Sequence, residues 1–198
     1  AEAASNGAKV FLVTRYACLG EDTAGTLRLW ASGEDVTSSQ LMRDMFSLSD
    51  GTIPAEGETV YTTPLRLKQA LDKALLNAGV RFLTGAYATD VLTDSKGHVA
   101  GVTIVSRSGR QAIRTKVIID STPRGLLARQ AGATATPFPA GKLTVSRVVI
   151  ANEAPDNAGT VSQRTDWHPD PALIQLSKTS ELVPKMYECT MELPMSDG

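Results

Sequence analysis

The 198-residue sequence predicts an α/β fold with an inserted three-stranded antiparallel meander and a mostly β C-terminal region. Three observations support this prediction. Helix-like segments alternate with short apolar runs up to residue 84, which is the order found in parallel sheets. Short β-branched runs separated by glycine-containing turns follow over residues 87–115. Two longer strand-like runs, 143–150 and 185–193, lie further along the chain.

The amino-terminal segment predicts a helix that leads into a buried strand. Residues 1–6 are rich in Ala and Glu, and Gly7 is suited to the position just after a helix. Residues 10–13 form a short β-favouring apolar run, and a loop of small residues, 16–25, follows it directly. Ligands of open α/β sheets bind beyond the carboxyl ends of the strands, so this loop is a candidate binding element.

The next segments predict two amphipathic helices and a second buried strand. Residues 37–48 place Leu, Met and Phe at helical spacing behind hydroxyl side chains that can act as N-caps, and 49–62 predict a loop. The clearest helix is 64–78, because it has Thr63 as N-cap, a proline at its first position and a glycine after its end. Residues 80–84 then predict a strand.

The middle of the chain predicts a change from parallel to antiparallel structure and back. The three strands of the meander are predicted at 87–93, 99–106 and 110–115. The apolar run in 116–120 is typical of a strand buried on both faces, so residues 117–119 are expected in one parallel sheet with 10–13 and 80–83. A short helix is predicted over residues 124–129, with Pro123 at its start and Gly132 after its end.

Two of these segments carry a resemblance to a known family. The run from Gly7 to Arg15, continued by Leu19-Gly20 and by Thr23-Ala24-Gly25, is similar to the second half of the nucleotide-binding βαβ unit in FAD-dependent oxidoreductases of the glutathione-reductase-like superfamily. Residues 83–92 and 117–122 are similar to that family's adenine-contacting strand and its Asp-Ala-Thr-Gly loop.

The resemblance implies a Rossmann-like FAD/NAD(P)-binding fold with FAD as the cofactor and a small molecule as the substrate. Residues 1–132 would form a partial FAD-binding domain, and 133–198 a partial substrate-side β region lying over the flavin. The positions that match the cofactor-lining positions of the family are Thr14, Arg15, Gly20, Thr23, Ala88 and Thr122.

Three positions depart from the family pattern at points that face the cofactor. Thr14 stands where the family has an acidic ribose ligand, and Glu21 and Pro123 stand where it has glycine. The family's G-x-G-x-x-G turn is also absent, because the sequence starts inside the helix that follows it. We therefore expect that a missing N-terminal segment completes the sheet, and that this chain alone binds FAD weakly or not at all. Without the true N-terminus, a cytoplasmic and an exported location both remain open.

Composition and motif spacing exclude several other classes of function. A net charge of −1 argues against a nucleic-acid partner, and no apolar run approaches the roughly 18 residues of a membrane span. Cys18 and Cys189 are too far apart in sequence for a local redox or zinc motif, and Cys18 is expected to be a packed free thiol. No metal site is predicted. His98 in a turn and His168 beside two carboxylates are both expected to be ordinary loop histidines, so the catalytic residues stay unidentified.

Three functional hypotheses follow from the sequence. The first is an FAD-dependent oxidoreductase acting on a small-molecule or carbohydrate-related substrate, with the flavin performing the redox chemistry. The second is a degenerate, non-catalytic scaffold or binding module of the same fold, which the three departures favour. The third is a hydrolase or lyase that acts on polysaccharide, or a protein associated with such enzymes. The sequence offers no paired acid and base for that chemistry.

Overall fold

The structure is a computed structural model that describes residues 1–46, 52, 55, 57–156, 159–165, 167 and 184–196. Five helices lie in these residues: α1 Glu2–Ser5, α2 Gly33–Thr37, α3 Gln40–Phe46, α4 Pro64–Asn77 and α5 Leu126–Gln130. The described strands are β1 Phe11–Val13, β2 Trp30–Ser32, β3 Thr59–Tyr61, β4 Arg81–Leu83, β5 Tyr87–Thr93, β6 Val99–Ser106, β7 Gly109–Arg114, β8 Gly141–Ala151, β9 Thr160–Gln163 and β10 Lys185–Met195. A single π-helical turn, Glu21–Gly25, precedes β2.

The chain divides into two compact units that each draw on separate stretches of sequence. The first unit comprises residues 1–21, 43–45 and 65–136, and the second comprises 22–42, 46–64 and 137–198. The first unit therefore contains β1, most of α4, and β4 to β7 with α5. The second unit contains β2, β3 and the three C-terminal strands.

The first unit is built on the parallel pair β1–β4, and the predicted helix–strand order is confirmed there. Leu12 lies beside Phe82 in a three-residue parallel register. Helix α4 buries Leu67 and Leu75 on one face and ends at Asn77. Gly79 follows with a φ of +68°, which is readily adopted only by a residue without Cβ. The Val80 N–H donates to the Leu75 carbonyl at 2.9 Å, which closes the end of the helix and directs the chain into β4.

The antiparallel meander is also confirmed, within one residue of its predicted boundaries. Strands β5, β6 and β7 pair in that order, and Ile104 on the central strand is almost completely buried. Gly97 and Gly109 supply the positive φ values that the two connecting turns need.

The prediction that residues 117–119 return to the parallel sheet is wrong. The chain leaves β7 and forms no strand here, and Val117 and Ile119 have 73% and 82% of their surface exposed. The Thr115 hydroxyl donates to the Val117 carbonyl at 2.9 Å, a local bond in place of a sheet ladder. An apolar run becomes a buried strand only where a neighbouring strand pairs with it, and no described strand does so.

The predicted start of the short helix is wrong as well. Pro123 lies in a turn, Arg124 has a φ of +71°, and α5 begins only at Leu126, after a left-handed Gly125. The predicted end is confirmed, because Gly132 has a φ of +90° and its N–H donates to a carbonyl in the last turn of the helix. The start is displaced because side chains upstream cap the later N–H groups, as described below.

The second unit contains an antiparallel sheet in the order β8–β10–β9, which confirms the two predicted C-terminal strands and extends both. Strand β9 was not predicted, and in the sequence it lies between the two predicted strands. The short pair β2–β3 was also missed, and Thr59–Tyr61 corrects part of the loop predicted at 49–62. The Ser39 hydroxyl accepts from the Met42 N–H at 3.2 Å, which confirms an N-cap for α3. Leu48 and most of 49–56 lie outside the described residues.

Candidate functional site

The carboxyl ends of β1 and β4 are joined into one platform by backbone hydrogen bonds. The Thr14 N–H donates to the Leu83 carbonyl at 3.0 Å, and the Thr14 carbonyl accepts from the Ala86 N–H at 3.0 Å. One step further, the Gly85 N–H donates to the Tyr16 carbonyl at 2.9 Å. The two loops that follow parallel strands therefore lie side by side, at the position where open α/β sheets bind ligands.

Thr14 and Arg15 present one hydroxyl and one guanidinium group at this platform. The half-buried Thr14 accepts from the Tyr16 N–H through Oγ1 at 3.3 Å. The exposed Arg15 donates to the Tyr16 hydroxyl at 2.6 Å, with its guanidinium 4.7 Å from the ring centroid. The pair offers polar donors and a positive charge, but no carboxylate at Thr14 to accept from ribose hydroxyls.

Gly20 performs a packing role that the sequence did not reveal. Its φ is +75°, and a Cβ at this position would collide with the side chains of Leu67 and Leu71 on α4. Glycine therefore allows the loop after β1 to lie directly on the helix. Leu67 is almost fully buried at this contact.

Asp120 organises the loop that contains Thr122. One carboxylate oxygen accepts from the Thr122 N–H at 2.9 Å, and the other accepts from the Ala128 N–H at 2.8 Å. Burial raises the pKa of Asp120, but these hydrogen bonds together outweigh it, so that the pKa lies below its ordinary value. The Thr122 hydroxyl accepts from the Leu126 N–H at 2.9 Å and caps α5. The sequence indicated Thr122 as a cofactor contact, whereas its hydroxyl already serves the loop.

Gln130 fixes α5, and with it the Thr122 loop, to the strand that carries Ala88. Its Nε2 donates to the Thr89 carbonyl at 2.8 Å, and its Oε1 accepts from the Val91 N–H at 3.0 Å. Ala88 is half-buried near the start of β5, two residues after Ala86 at the platform. Hydrogen bonds thus connect the Thr122 loop, through α5, to the strand that carries Ala88.

Thr23 belongs to the second unit, whereas the other predicted cofactor residues belong to the first. It is part of the π-helical turn, and its carbonyl accepts from the Arg28 N–H at 3.0 Å. The structure thus assigns Thr23 a backbone role in shaping the turn before β2.

An arginine-centred cluster in the second unit was not found by sequence reasoning. The Arg164 guanidinium lies 4.5 Å from the Trp30 ring centroid, and its Nε donates to the Tyr61 hydroxyl at 3.1 Å. It also pairs with Glu188 at 3.8 Å. The cluster links β2 and β3 to β10, strands that are distant in sequence, so only a knowledge of which strands are neighbours would have revealed it.

The second unit also contains a cleft of about 460 Å³. It is lined by residues 147–150 of β8 together with Leu27, Cys189 and Met191. The lining is apolar or weakly polar except for the guanidinium of Arg147.

The remaining candidates for chemistry have ordinary surroundings. His98 is exposed in the turn after β5, where its Nδ1 lies 3.5 Å from Asp94, and His168 lies outside the described residues. Backbone N–H groups of His98 and Lys96 donate to Asp94 and hold its pKa below the ordinary value. Both cysteines are free thiols, and the described part of the chain holds no group of side chains suited to a metal ion.

The lengths of the described helices show whether any of them could span a membrane. The longest of them, α4, has 14 residues, and none has the length and apolar character of a membrane-spanning helix.

Comparison with known proteins identifies related sequences and folds. The family model described as FAD dependent oxidoreductase matches residues 1–182. A search of curated protein sequences finds no match.

Several solved protein structures share the fold. The Diels-Alderase PyrE3 of pyrroindomycin biosynthesis is 12% identical with a TM-score of 0.57, covering 94% of this chain and 42% of its own. The anhydrotetracycline hydroxylase OxyS from Streptomyces rimosus is 13% identical with a TM-score of 0.53, covering 94% and 41%. A glycerol-3-phosphate dehydrogenase from Bacillus halodurans complexed with FAD is 11% identical with a TM-score of 0.52, covering 98% and 44%. The chain thus spans less than half the length of these three solved proteins.

Proposed function

Because the chain belongs to the FAD-dependent oxidoreductase family, we propose that it forms the part of such an enzyme that holds the adenosine end of FAD and carries the substrate-side sheet. One observation carries this proposal. The loops after β1 and β4 are hydrogen-bonded side by side through Thr14, Tyr16, Gly85 and Ala86, which creates a binding edge at the carboxyl ends of two parallel strands.

The residues at this edge fit the adenosine half of the cofactor. Arg15 supplies a positive charge for a phosphate, Thr14 supplies a hydroxyl for the ribose, and the backbone near Ala88 offers a small-residue surface for the adenine. Thr122 contributes through the loop that its hydroxyl and Asp120 hold in shape. Gly20 acts indirectly, by seating the loop after β1 on α4. The bound flavin would supply the electron and hydride chemistry, while these residues bind and orient it.

In this proposal, two consecutive parts of the chain have different roles. Residues 1–132 form a partial FAD-binding domain, and residues 133–198 belong to a substrate-side β region. An additional upstream strand, glycine turn and helix complete the sheet, a requirement supported by the exposed Val117 and Ile119 and by the low coverage of the solved relatives. The substrate is a small molecule, with carbohydrate-related compounds as one class.

The proposed site predicts weak binding of FAD by the 198-residue chain alone. A helix N-terminus with a glycine turn binds a pyrophosphate through free N–H groups and the helix dipole, and this sequence has no G-x-G-x-x-G turn. A carboxylate hydrogen bond to ribose, absent at Thr14, is worth about 1.5–3 kcal/mol, or roughly 10- to 150-fold in affinity.

The test compares this chain with a protein extended upstream by a strand, glycine turn and helix. Each is purified, its absorbance near the flavin bands is recorded, and binding of FAD, ADP and FMN is measured by calorimetry. We expect flavin only in the longer protein, and we expect that protein to bind ADP but not FMN when stripped. Thr14→Glu in the longer protein should tighten ADP binding by roughly tenfold, because it restores a charged acceptor for the ribose.

Thr93→Glu provides the matched control, since it adds the same charge to an exposed threonine at the far end of β5. Tight stoichiometric flavin in the short chain would show that the upstream segment is dispensable. A longer protein that stays colourless with added FAD and does not bind ADP would instead favour the scaffold function.

The scaffold function is the second candidate, and a specific observation favours it. The side chain or backbone of each of Thr14, Gly20 and Thr122 is already engaged within the protein, as a turn acceptor, a packing surface and a helix cap.

A further inference from the structure

Strands β8 and β10 build a face that is apolar except at its centre. Directly opposite residues of an antiparallel pair point to the same side of the sheet, so Arg147 shares a face with Cys189. Along β8 it stands between Val145 and Val149, and the pair of Val145 across the ladder is Met191. Cys189, at the base of this face, is buried with only 4% of its surface exposed.

The guanidinium of Arg147 is unpaired within the described part of the chain, unlike the side chains of Lys142 and Arg164 in the same sheet. Lys142 on β8 pairs with Glu192 at 2.7 Å, and Arg164 pairs with Glu188 at 3.8 Å. Arg147 has neither an ion pair nor a hydrogen bond to any described residue. Its charge is therefore available to an anionic group brought in from outside.

We propose that the cleft on β8 and β10 binds an amphipathic monoanion, a small molecule with an apolar body and a single carboxylate-type group. The cleft volume of about 460 Å³ lies within the range of small-molecule sites, roughly 300–1,000 Å³. The apolar body lies against Leu27, Val149 and Met191, and the anion accepts from Arg147. The site lies wholly within the second unit and holds whether or not the chain carries FAD.

The test uses octanoate and octan-1-ol, which share an alkyl tail and differ in charge. Methionine methyl groups are labelled with ¹³C, and their NMR resonances are followed during titration of the 198-residue chain. Octanoate should shift the Met191 methyl and leave that of Met186 unmoved, because Met186 is fully buried and points to the opposite side of the sheet. Octan-1-ol should shift the same resonance with roughly tenfold lower affinity, since a hydrogen bond to a charged group is lost.

Arg147→Gln should lower the affinity for octanoate to that for octan-1-ol and leave the affinity for octan-1-ol unchanged. The matched control is Lys142→Gln, which removes the same charge from the same strand outside the cleft and should leave octanoate binding as it was. An unchanged Met186 resonance in each variant shows that the sheet is intact. Equal affinity for the two ligands, a Met191 methyl that does not respond to octanoate, or unchanged octanoate binding by Arg147→Gln would each overturn the proposal.

Discussion

The parallel pair β1–β4 and the antiparallel pair β8–β10 achieve their stability by different means. Each strand of the parallel pair has three residues, whereas β8 and β10 have eleven residues each and pair over their whole length. The long antiparallel pair satisfies its central backbone groups through its own ladder and through β9. The short parallel pair depends on α4 and on the loops that follow the strands.

The comparison shows where each region depends on side chains distant in sequence. In the second unit, Met186 and Tyr187 point to opposite sides of the sheet and both are buried, so the start of β10 is covered on both sides. In the first unit, Gly20 seats a loop on α4 and Asp120 holds the segment after the meander.

Met186→Ala should have the largest effect, because it empties a fully buried position in the long sheet. We expect a loss of about 2–5 kcal/mol in the free energy of unfolding, the usual range for truncating a buried methionine. Urea unfolding followed by tryptophan fluorescence measures it, since Trp30 and Trp167 both lie in the second unit. Leu193→Ala on the same strand is the control, because Leu193 is exposed and its truncation should cost less than about 1 kcal/mol. Equal losses would contradict the assignment of the core.

Gly20→Ala should have the next largest effect, through the contact that supports the parallel pair. Strain at a φ of +75° and the clash with Leu67 together should cost about 2–3 kcal/mol, measured by thermal unfolding followed by circular dichroism. Gly7→Ala is the matched control. Gly7 has a φ of +87° but open space around a Cβ, so only strain of about 1 kcal/mol is expected.

A double-mutant cycle separates packing from strain at this contact. Combining Gly20→Ala with Leu67→Ala should cost less than the sum of the two single changes, because the truncated leucine makes room for the added methyl group. Strict additivity would show that Gly20 does not rest on α4.

Asp120→Asn should have the smallest effect and a distinctive pH dependence. In the wild type, both carboxylate oxygens accept hydrogen bonds from backbone N–H groups, whereas the asparagine amide would turn its own N–H groups toward one of those donors. We expect the free energy of unfolding at neutral pH to fall by about 1–2 kcal/mol, after allowing for partial exposure. The folded pKa of Asp120 lies below its ordinary value of 3.8. Its stabilisation is therefore fully present above pH values near 3.8 and is lost as the pH falls through the folded pKa.

The difference in the free energy of unfolding between wild type and Asp120→Asn should therefore be constant near neutral pH and should disappear below about pH 4. Urea unfolding at several pH values measures this difference. Asp72→Asn on the exposed side of α4 is the control and should change stability by less than about 0.5 kcal/mol. A difference that stays constant to the lowest pH would show that the Asp120 charge does not hold the loop.

Local sequence patterns determined the elements whose signals lie within the element itself. The helix at 64–78 has its cap, its apolar face and its terminating glycine within one stretch, and the structure places α4 at Pro64–Asn77. The meander carries its own turn glycines, and the two C-terminal strands are long enough to show alternation. For the candidate cofactor site, the sequence indicated the loop after β1 and residues 120–122. In the structure, hydrogen bonds hold both segments in place.

Only the tertiary structure decided which segments find a partner. Residues 117–119 have the composition of a buried strand but pair with no described strand, whereas Trp30–Ser32 pairs with Thr59–Tyr61 despite weak local signals. Strand β9, the Arg164 cluster and the contact of Gly20 with α4 likewise depend on neighbours far away in sequence. Backbone hydrogen bonding and burial are gained only when a second segment arrives, so a pattern read along one segment cannot determine them.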